Sequence, residues 1–233
     1  MINYIKNIIK QIYIFHNLYI QNKVYIKKKF YSQNKEDIFF LTNFKNKNNG
    51  FYVDVGCHHP TRINNTFLLY QHGWRGVNID MSKLSIDLFN ILRKEDLNIH
   101  SAVSNKNKII NYYTNKDLFL SASITQKKGN LKFKYKKKVS SKPLTDILDE
   151  TIYKKKQIDF LNIDAEGVDF EVLKSLDFKK YKPKLICIEI WEIWKKQIKE
   201  HEIKKHKIYK FLKKKKYKLV KNFAENFIFK KIN

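Results

Sequence analysis

From Gly50 onward the chain alternates short apolar runs with amphipathic segments, and several of the runs stop at an acidic residue. Phe51–Val55 reads as a strand leading into Gly56, Gly76–Ile79 as a second ending at Asp80, and Leu97–Val103 as a third. Ile158–Ile163 reads as a fourth strand, ending at Asp164, and Leu185–Ile190 as a fifth, apolar apart from Glu189. Between them lie helical patterns at Asn65–His72, closed by Gly73, from Ser82 to about Arg93, at Pro143–Asp149 with Ser141 as its cap, and at Phe170–Leu176. A βαβαβ succession of this kind predicts a parallel sheet with right-handed crossovers. Residues 104–142 interrupt it. There Ile109–Tyr113 is a candidate strand and Gln126–Lys138 a lysine-rich stretch around Gly129, together read as an insertion or loop near the site. A long basic helix is expected over Ile198–Lys215. An antiparallel hairpin, Tyr217–Asn222 with Asn226–Lys231, is then turned by Phe223-Ala224-Glu225.

Open α/β sheets bind ligands beyond the carboxyl ends of their strands, so the polar residues there carry the functional reading. The first strand runs into Asp54-Val55-Gly56-Cys57-His58-His59-Pro60. A single glycine allows close backbone approach while the carboxylate orders the turn. The run is not G-x-G-x-x-G, which argues against a pyrophosphate cradle and so against NAD or ATP. S-adenosylmethionine, which carries no phosphate, needs no such nest. Asp80 is placed to accept hydrogen bonds from both ribose hydroxyls of a nucleoside, or else to cap the helix that starts near Ser82. Asp164 and Glu166, in Asp164-Ala165-Glu166-Gly167, suit proton abstraction or metal binding, or else cap the helix near Val168. Glu189 adds a third acid. A divalent cation on Asp164, Glu166 or Glu189 is compatible with these residues, but no spacing demands one. His58 and His59 stand at the mouth, where one of them is a candidate base because histidine titrates near neutrality. Trp74, Trp191 and Trp194 read as core or rim packing, with Trp191 and Trp194 as an alternative platform for a sugar face.

The formal charge is +26, yet only three of the 48 basic residues are arginines: Arg62, Arg75 and Arg93. Arginine is the side chain suited to bidentate phosphate and base contacts. Abundant Lys, Asn, Ile, Tyr and Phe beside six glycines and three prolines suits an AT-rich coding sequence better than selection for a nucleic-acid partner. Cys57 and Cys187 have neither zinc-site nor disulfide spacing, so a reducing, cytoplasmic setting is expected. No apolar run is long enough for a spanning helix, and no small-residue cleavage site marks a signal peptide. Residues 1–30 form a basic extension in which Ile5, Ile8, Ile9, Ile12 and Phe15 recur at helical spacing. The stripe predicts a helix packed on the domain of residues 31–233. The alternatives are an interfacial helix in peripheral contact with a membrane and a flexible, partly ordered tail.

Ser32-Gln33 with Glu36-Asp37, then DVGCHHP, NNT, GWRGVNID, LNIHSAVS and IDFLNIDAEGVDFEVL, and a strand ending near Glu189, follow the order seen in FkbM-type methyltransferases, which the chain resembles over about residues 31–230. Cys57 stands where alanine is usual, Asn64 where serine is common, Asp80 for a commoner glutamate and Val168 for a commoner tyrosine. The resemblance implies a Rossmann-like class I fold with a mostly parallel seven-stranded sheet and the C-terminal antiparallel hairpin. It also implies S-adenosylmethionine as methyl donor and a hydroxyl acceptor on a sugar, glycan or related molecule. By the same resemblance Asp54 and Gly56 line the cofactor turn, and Asp80, beside Met81, holds the ribose. Ser101 and Ala102 flank the adenine, while Asp164 and Glu166 face the methyl-transfer centre. A 2′-hydroxyl nucleic-acid methyltransferase and a non-catalytic polyanion- or membrane-binding module remain the alternatives.

Overall fold

The computed structural model describes residues 2–21, 29–114, 122–123, 127–128, 131–132, 135–190 and 200–232. Strands β1 (Phe51–Val55), β2 (Arg75–Asp80) and β3 (Leu97–His100) form one wing of a sheet. Its other wing is β10 (Phe160–Ile163), β11 (Leu185–Glu189), β12 (Tyr217–Phe223) and β13 (Asn226–Lys231), in the order β12-β13-β11-β10-β1-β2-β3. All neighbouring pairs from β3 to β11 are parallel. Strand β13 is antiparallel to both β11 and β12, between which it lies. The mixed α/β architecture is therefore the expected one: a seven-stranded, mostly parallel sheet finished by an antiparallel hairpin. The chain leaves β1 toward β2 on one side and later returns to β10 on the other, so the carboxyl ends of β1 and β10 form a topological switch point.

Both faces of the sheet are covered, which explains why its central strands are apolar without alternation. Phe51, Val53 and Val55 face one core with Leu144, Leu148, Val172, Leu173, Ile208 and Leu212. These residues come from helices α5 (Leu144–Asp149), α6 (Asp169–Lys174) and α8 (Lys207–Lys214). Tyr52 faces the opposite core with Phe40, Leu69, Trp74, Phe160 and Cys187. That side is covered by α2 (Glu36–Asn43) and α3 (Phe67–Gln71). Trp74 is thus a core residue, as expected, while Trp191 and Trp194 lie outside the described residues.

Several expectations are corrected. The third strand does not run through to Val103. It stops at His100, the last residue paired with β2, where the Ser101 N–H makes the final ladder bond to the Asp80 carbonyl. Ala102–Val103 (β4) then pairs with β9 (Tyr135–Lys142) in a second sheet. Within the interrupting segment the candidate strand Ile109–Tyr113 falls in β5 (Lys108–Thr114), which forms a long antiparallel pair with β9, extended by β6 (Ala122–Ser123). A further short pair joins β7 (Lys127–Lys128) to β8 (Leu131–Lys132). In β9, Val139 and Ser141 turn inward while Lys138 and Ser140 face solvent, so Lys136 and Lys138 of the lysine-rich stretch lie on the outer face of a strand. A further correction concerns the basic helix. It is broken into α7 (Glu200–Ile203) and α8, because His206 adopts an extended backbone and its Nδ1 accepts from the Ile208 N–H as an N-cap. Nor does Ser141 cap α5. Its hydroxyl bonds the Lys106 and Lys108 carbonyls instead, and Pro143 occupies the cap position.

At the N-terminus α1 (Ile2–Phe15) runs on into one π-helical stretch, His16–Ile20. It docks on α4 (Lys83–Leu92) through Ile14 and Leu18 against Leu84 and Leu88, with Lys10 paired to Asp87 at 2.5 Å. The stripe expected to make this contact faces outward instead. Among the described residues no helix is long and apolar enough to cross a membrane.

Candidate active site

A cavity of about 480 Å³ opens at the switch point. That size is ordinary for a small-molecule site. Its floor is the turn after β1. Gly56 has φ +77°, and a Cβ there would sit 1.7 Å from the Asp164 carbonyl oxygen, so the β1 and β10 turns meet where only glycine fits. The Gly56 N–H donates to the Ile79 carbonyl and the Asp164 N–H to that of Val55, which locks the ends of β1, β2 and β10 together. Asp54 is buried, with Oδ1 accepting from Asn162 Nδ2 (2.9 Å) and Oδ2 from Thr66 Oγ1 (2.7 Å). Burial raises its pKa against those two bonds. Asn65 Nδ2 in turn donates to Asn162 Oδ1. The Asn64-Asn65-Thr66 run is thereby wired to the first strand's carboxylate.

Asp80 lines one wall. Its Oδ2 accepts the His58 N–H (2.9 Å) and its Oδ1 the Ser82 N–H (2.7 Å). Capping of α4 falls to Ser82, whose hydroxyl accepts from Ser85. Burial pushes the Asp80 carboxyl up to about 6 despite these donors. Met81, Ser101, Ala102 and Val103 continue that wall. On the far side stand Asp164, Glu166, Glu189 and Glu225. Glu166 has φ +55° and is exposed at the turn. Here too the turn is ordered by another residue. Asp169, buried at the start of α6, accepts the Ala165 N–H (2.7 Å) and the Gly167 N–H (3.1 Å).

The two histidines separate. His58 lines the cavity, and its pKa is lowered to about 4 by burial and the nearby Arg62 charge. His59 is fully buried and is not among the lining residues; its Nδ1 takes the Thr61 and Arg62 N–H groups. Its pKa, lowered to about 2 mainly by burial, keeps it neutral. It shapes the loop rather than facing a substrate. Among the described residues no group of three His, Cys, Asp or Glu is arranged to hold a metal ion.

Sequence reasoning passed over Gln33 and Glu225, which meet at the rim, where Gln33 Nε2 donates to Glu225 Oε1 at 3.4 Å. The Ser32…Asp37 segment contains the signal. Asp37 collects the Tyr31 and Ser32 N–H groups and the Ser32 hydroxyl. Fully buried Glu36 takes the Asn34 N–H and Asn226 Nδ2. These two carboxylates fold the loop onto the terminal hairpin and leave Gln33 on the cavity.

The sequence profile of the Methyltransferase FkbM domain matches residues 54–219, which supply every lining residue of this cavity except Gln33 and Glu225. The chain belongs to the FkbM methyltransferase family. Among solved structures, the FkbM chain is similar to a crystal structure described as a "putative type 11 methyltransferase from Sulfolobus solfataricus". The TM-score is 0.42 at 10% identity, over 87% of this chain and 95% of that one. A comparison with curated proteins gives no match.

Proposed function

We propose that this FkbM protein transfers the methyl group of S-adenosylmethionine to a hydroxyl of a saccharide or related small molecule. The observation that carries the reading is one cavity with two differing ends: a glycine turn with Asp80 at one, exposed Glu166 beside Glu189 and Glu225 at the other. The residues fit the donor. Gly56 leaves a cradle that a Cβ would fill, Asp80 supplies a carboxylate for ribose hydroxyls, and Met81, Ser101 and Ala102 offer a wall for adenine. When bound, S-adenosylmethionine supplies a methyl group on a cationic sulfur. What remains for the protein is to place the acceptor oxygen in line and take its proton.

Glu166 suits the second task better than His58. A proton on His58 creates a half-buried cation near Arg62, whereas a proton on Glu166 discharges an anion at an exposed turn. The carboxylates around the cavity also support a neutral acceptor over nucleic acid, whose phosphates they would repel.

Calorimetry with S-adenosylhomocysteine tests the donor half. Asp80→Ala is expected to weaken binding about ten- to a hundredfold, the worth of a hydrogen bond to a charged group. Unchanged affinity in that variant, or saturable NAD binding by the parent, would overturn the reading. A pH series checks the same carboxylate. Its folded pKa of about 6 lies above the ordinary carboxylate value, so it is protonated in the free protein at pH 5 and ionised at pH 7. The ionised form is the better acceptor, and affinity is expected to fall about tenfold from pH 7 to pH 5. Asp80→Asn should flatten that dependence. The same raised pKa acts oppositely on folding: its contribution is most favourable below the ordinary carboxylate range and is lost as pH rises through about 6.

A further inference from the structure

Among the described residues, fifteen large hydrophobic side chains are exposed, and eight of them lie between Tyr4 and Ile20. Scattered apolar exposure is ordinary on a protein surface, but a contiguous patch marks a contact. On a helix of 3.6 residues per turn, Ile5, Ile8, Ile9, Ile12 and Phe15 share one arc of about 120°. They are 42–63% exposed. Ile14 and Lys10, which hold the helix to α4, lie roughly opposite that arc. Thus α1 has two apolar faces. The smaller one is used by the fold, and the larger one, which bears no charge, points away from it.

We propose that this outward face docks the protein on an anionic lipid bilayer, with α1 lying in the headgroup plane. Charge selects the occupant. A protein of net charge +26 is drawn to an anionic surface, whereas a second copy of the chain carries the same charge and is repelled. The arrangement also suits interfacial binding: an uncharged arc enters the lipid boundary while the lysines of the domain remain in water. Docking bears on the cavity. Arg62 donates to Asn17 and Gln21 at the end of this helical segment, both at 2.6 Å. The next residue, Ile63, lines the cavity and is 56% exposed. The cavity wall is therefore one hydrogen bond from the docked helix. The inference does not depend on the proposed chemistry.

The test is sedimentation of the full chain with phosphatidylcholine vesicles, with and without phosphatidylglycerol. Binding is expected to rise about tenfold when the anionic lipid is present and to weaken in high salt. Ile5→Gln/Ile8→Gln/Ile12→Gln keeps the net charge and leaves Ile14 and Leu18 in place. It is expected to lose roughly a hundredfold in vesicle affinity with an unchanged melting temperature and circular dichroism. A parent protein that stays in the supernatant with anionic vesicles overturns the proposal. So does a triple variant that binds as well as the parent, since lysines alone would then account for binding. A dimer by light scattering that the triple variant converts to monomer also overturns it, in favour of a second copy as the occupant.

Discussion

Arg93→Met is expected to destabilise the protein by about 3–5 kcal/mol, the loss typical of breaking a buried ion pair by removing one partner. Arg93 is fully buried at the end of α4. Its Nε donates to Asp96 at 2.9 Å, Nη1 to Asn64 and Thr66, and Nη2 to Thr66 and Tyr52. Burial alone would lower its pKa, but Tyr52, Asp96 and Asp54 around it prevail and raise it, so the charge is permanent. Methionine fills similar volume but leaves the Asp96 carboxylate buried without its cation. Asp96 also accepts the Gly76 N–H at 2.8 Å, Asn78 Nδ2 at 2.9 Å and the Tyr52 hydroxyl at 2.5 Å, so the loss reaches the edges of β1 and β2. Urea unfolding monitored by fluorescence measures the change, and the melting temperature should drop by about 10 °C. Arg93→Lys restores the charge but offers three donors on one atom in place of a planar fork, so only part of the stability should return. A loss under about 1 kcal/mol for Arg93→Met would show that the network contributes nothing net.

This network clarifies the arginine scarcity. All three arginines make several contacts within the protein. Arg62 ties the cavity loop to the N-terminal helix, and Arg75 bonds the Tyr70 and Trp74 carbonyls while lying over the Tyr70 ring. Arg93 joins α4 to the Asn64-Asn65-Thr66 run, from which Thr66 reaches Asp54. A lysine cannot supply two or three divergent donors to fixed acceptors, and the guanidinium stands where that fork is used.

The strand ends were legible because period and chemistry agree there. Strands buried on both faces read as continuous apolar runs, and an acid at the end of such a run stands out. Asp54, Asp80, Asp164 and Glu189 accordingly meet in one cavity with Gly56. Elements whose outer faces carry lysine were harder to read. In β5–β9 the inward residues are few and mixed, and the alternation is visible only once Val139 and Ser141 are known to face inward. Likewise the stripe of α1 pointed to a helix but not to the face that docks, because Ile14 and Leu18 contribute too few positions to compete with the five on the other side. His58 and His59 were inseparable in sequence. What divides them is local: positive φ at His58, and the capture of the His59 ring nitrogen by the two N–H groups that follow.

Glu166→Gln is expected to cut methyl transfer by roughly 10²–10⁴-fold if Glu166 is the sole base, while S-adenosylhomocysteine affinity stays within about twofold. The two halves of this expectation rest on different parts of the cavity. Donor binding relies on Gly56, Asp80 and the wall through Ala102, whereas Glu166 stands on the turn that follows β10. Glutamine keeps the shape and the left-handed backbone position but cannot accept a proton at neutral pH. The turn itself should survive, because its N–H groups are held by Asp169. Asp169→Ala therefore serves as the contrasting variant: it should disturb the turn and lower thermal stability, whereas Glu166→Gln should melt like the parent. If Glu166→Gln loses donor affinity in step with turnover, the residue belongs to the donor end and the proton goes elsewhere. His58→Ala is then the next variant to measure, because His58 is the only histidine on the cavity wall among the described residues.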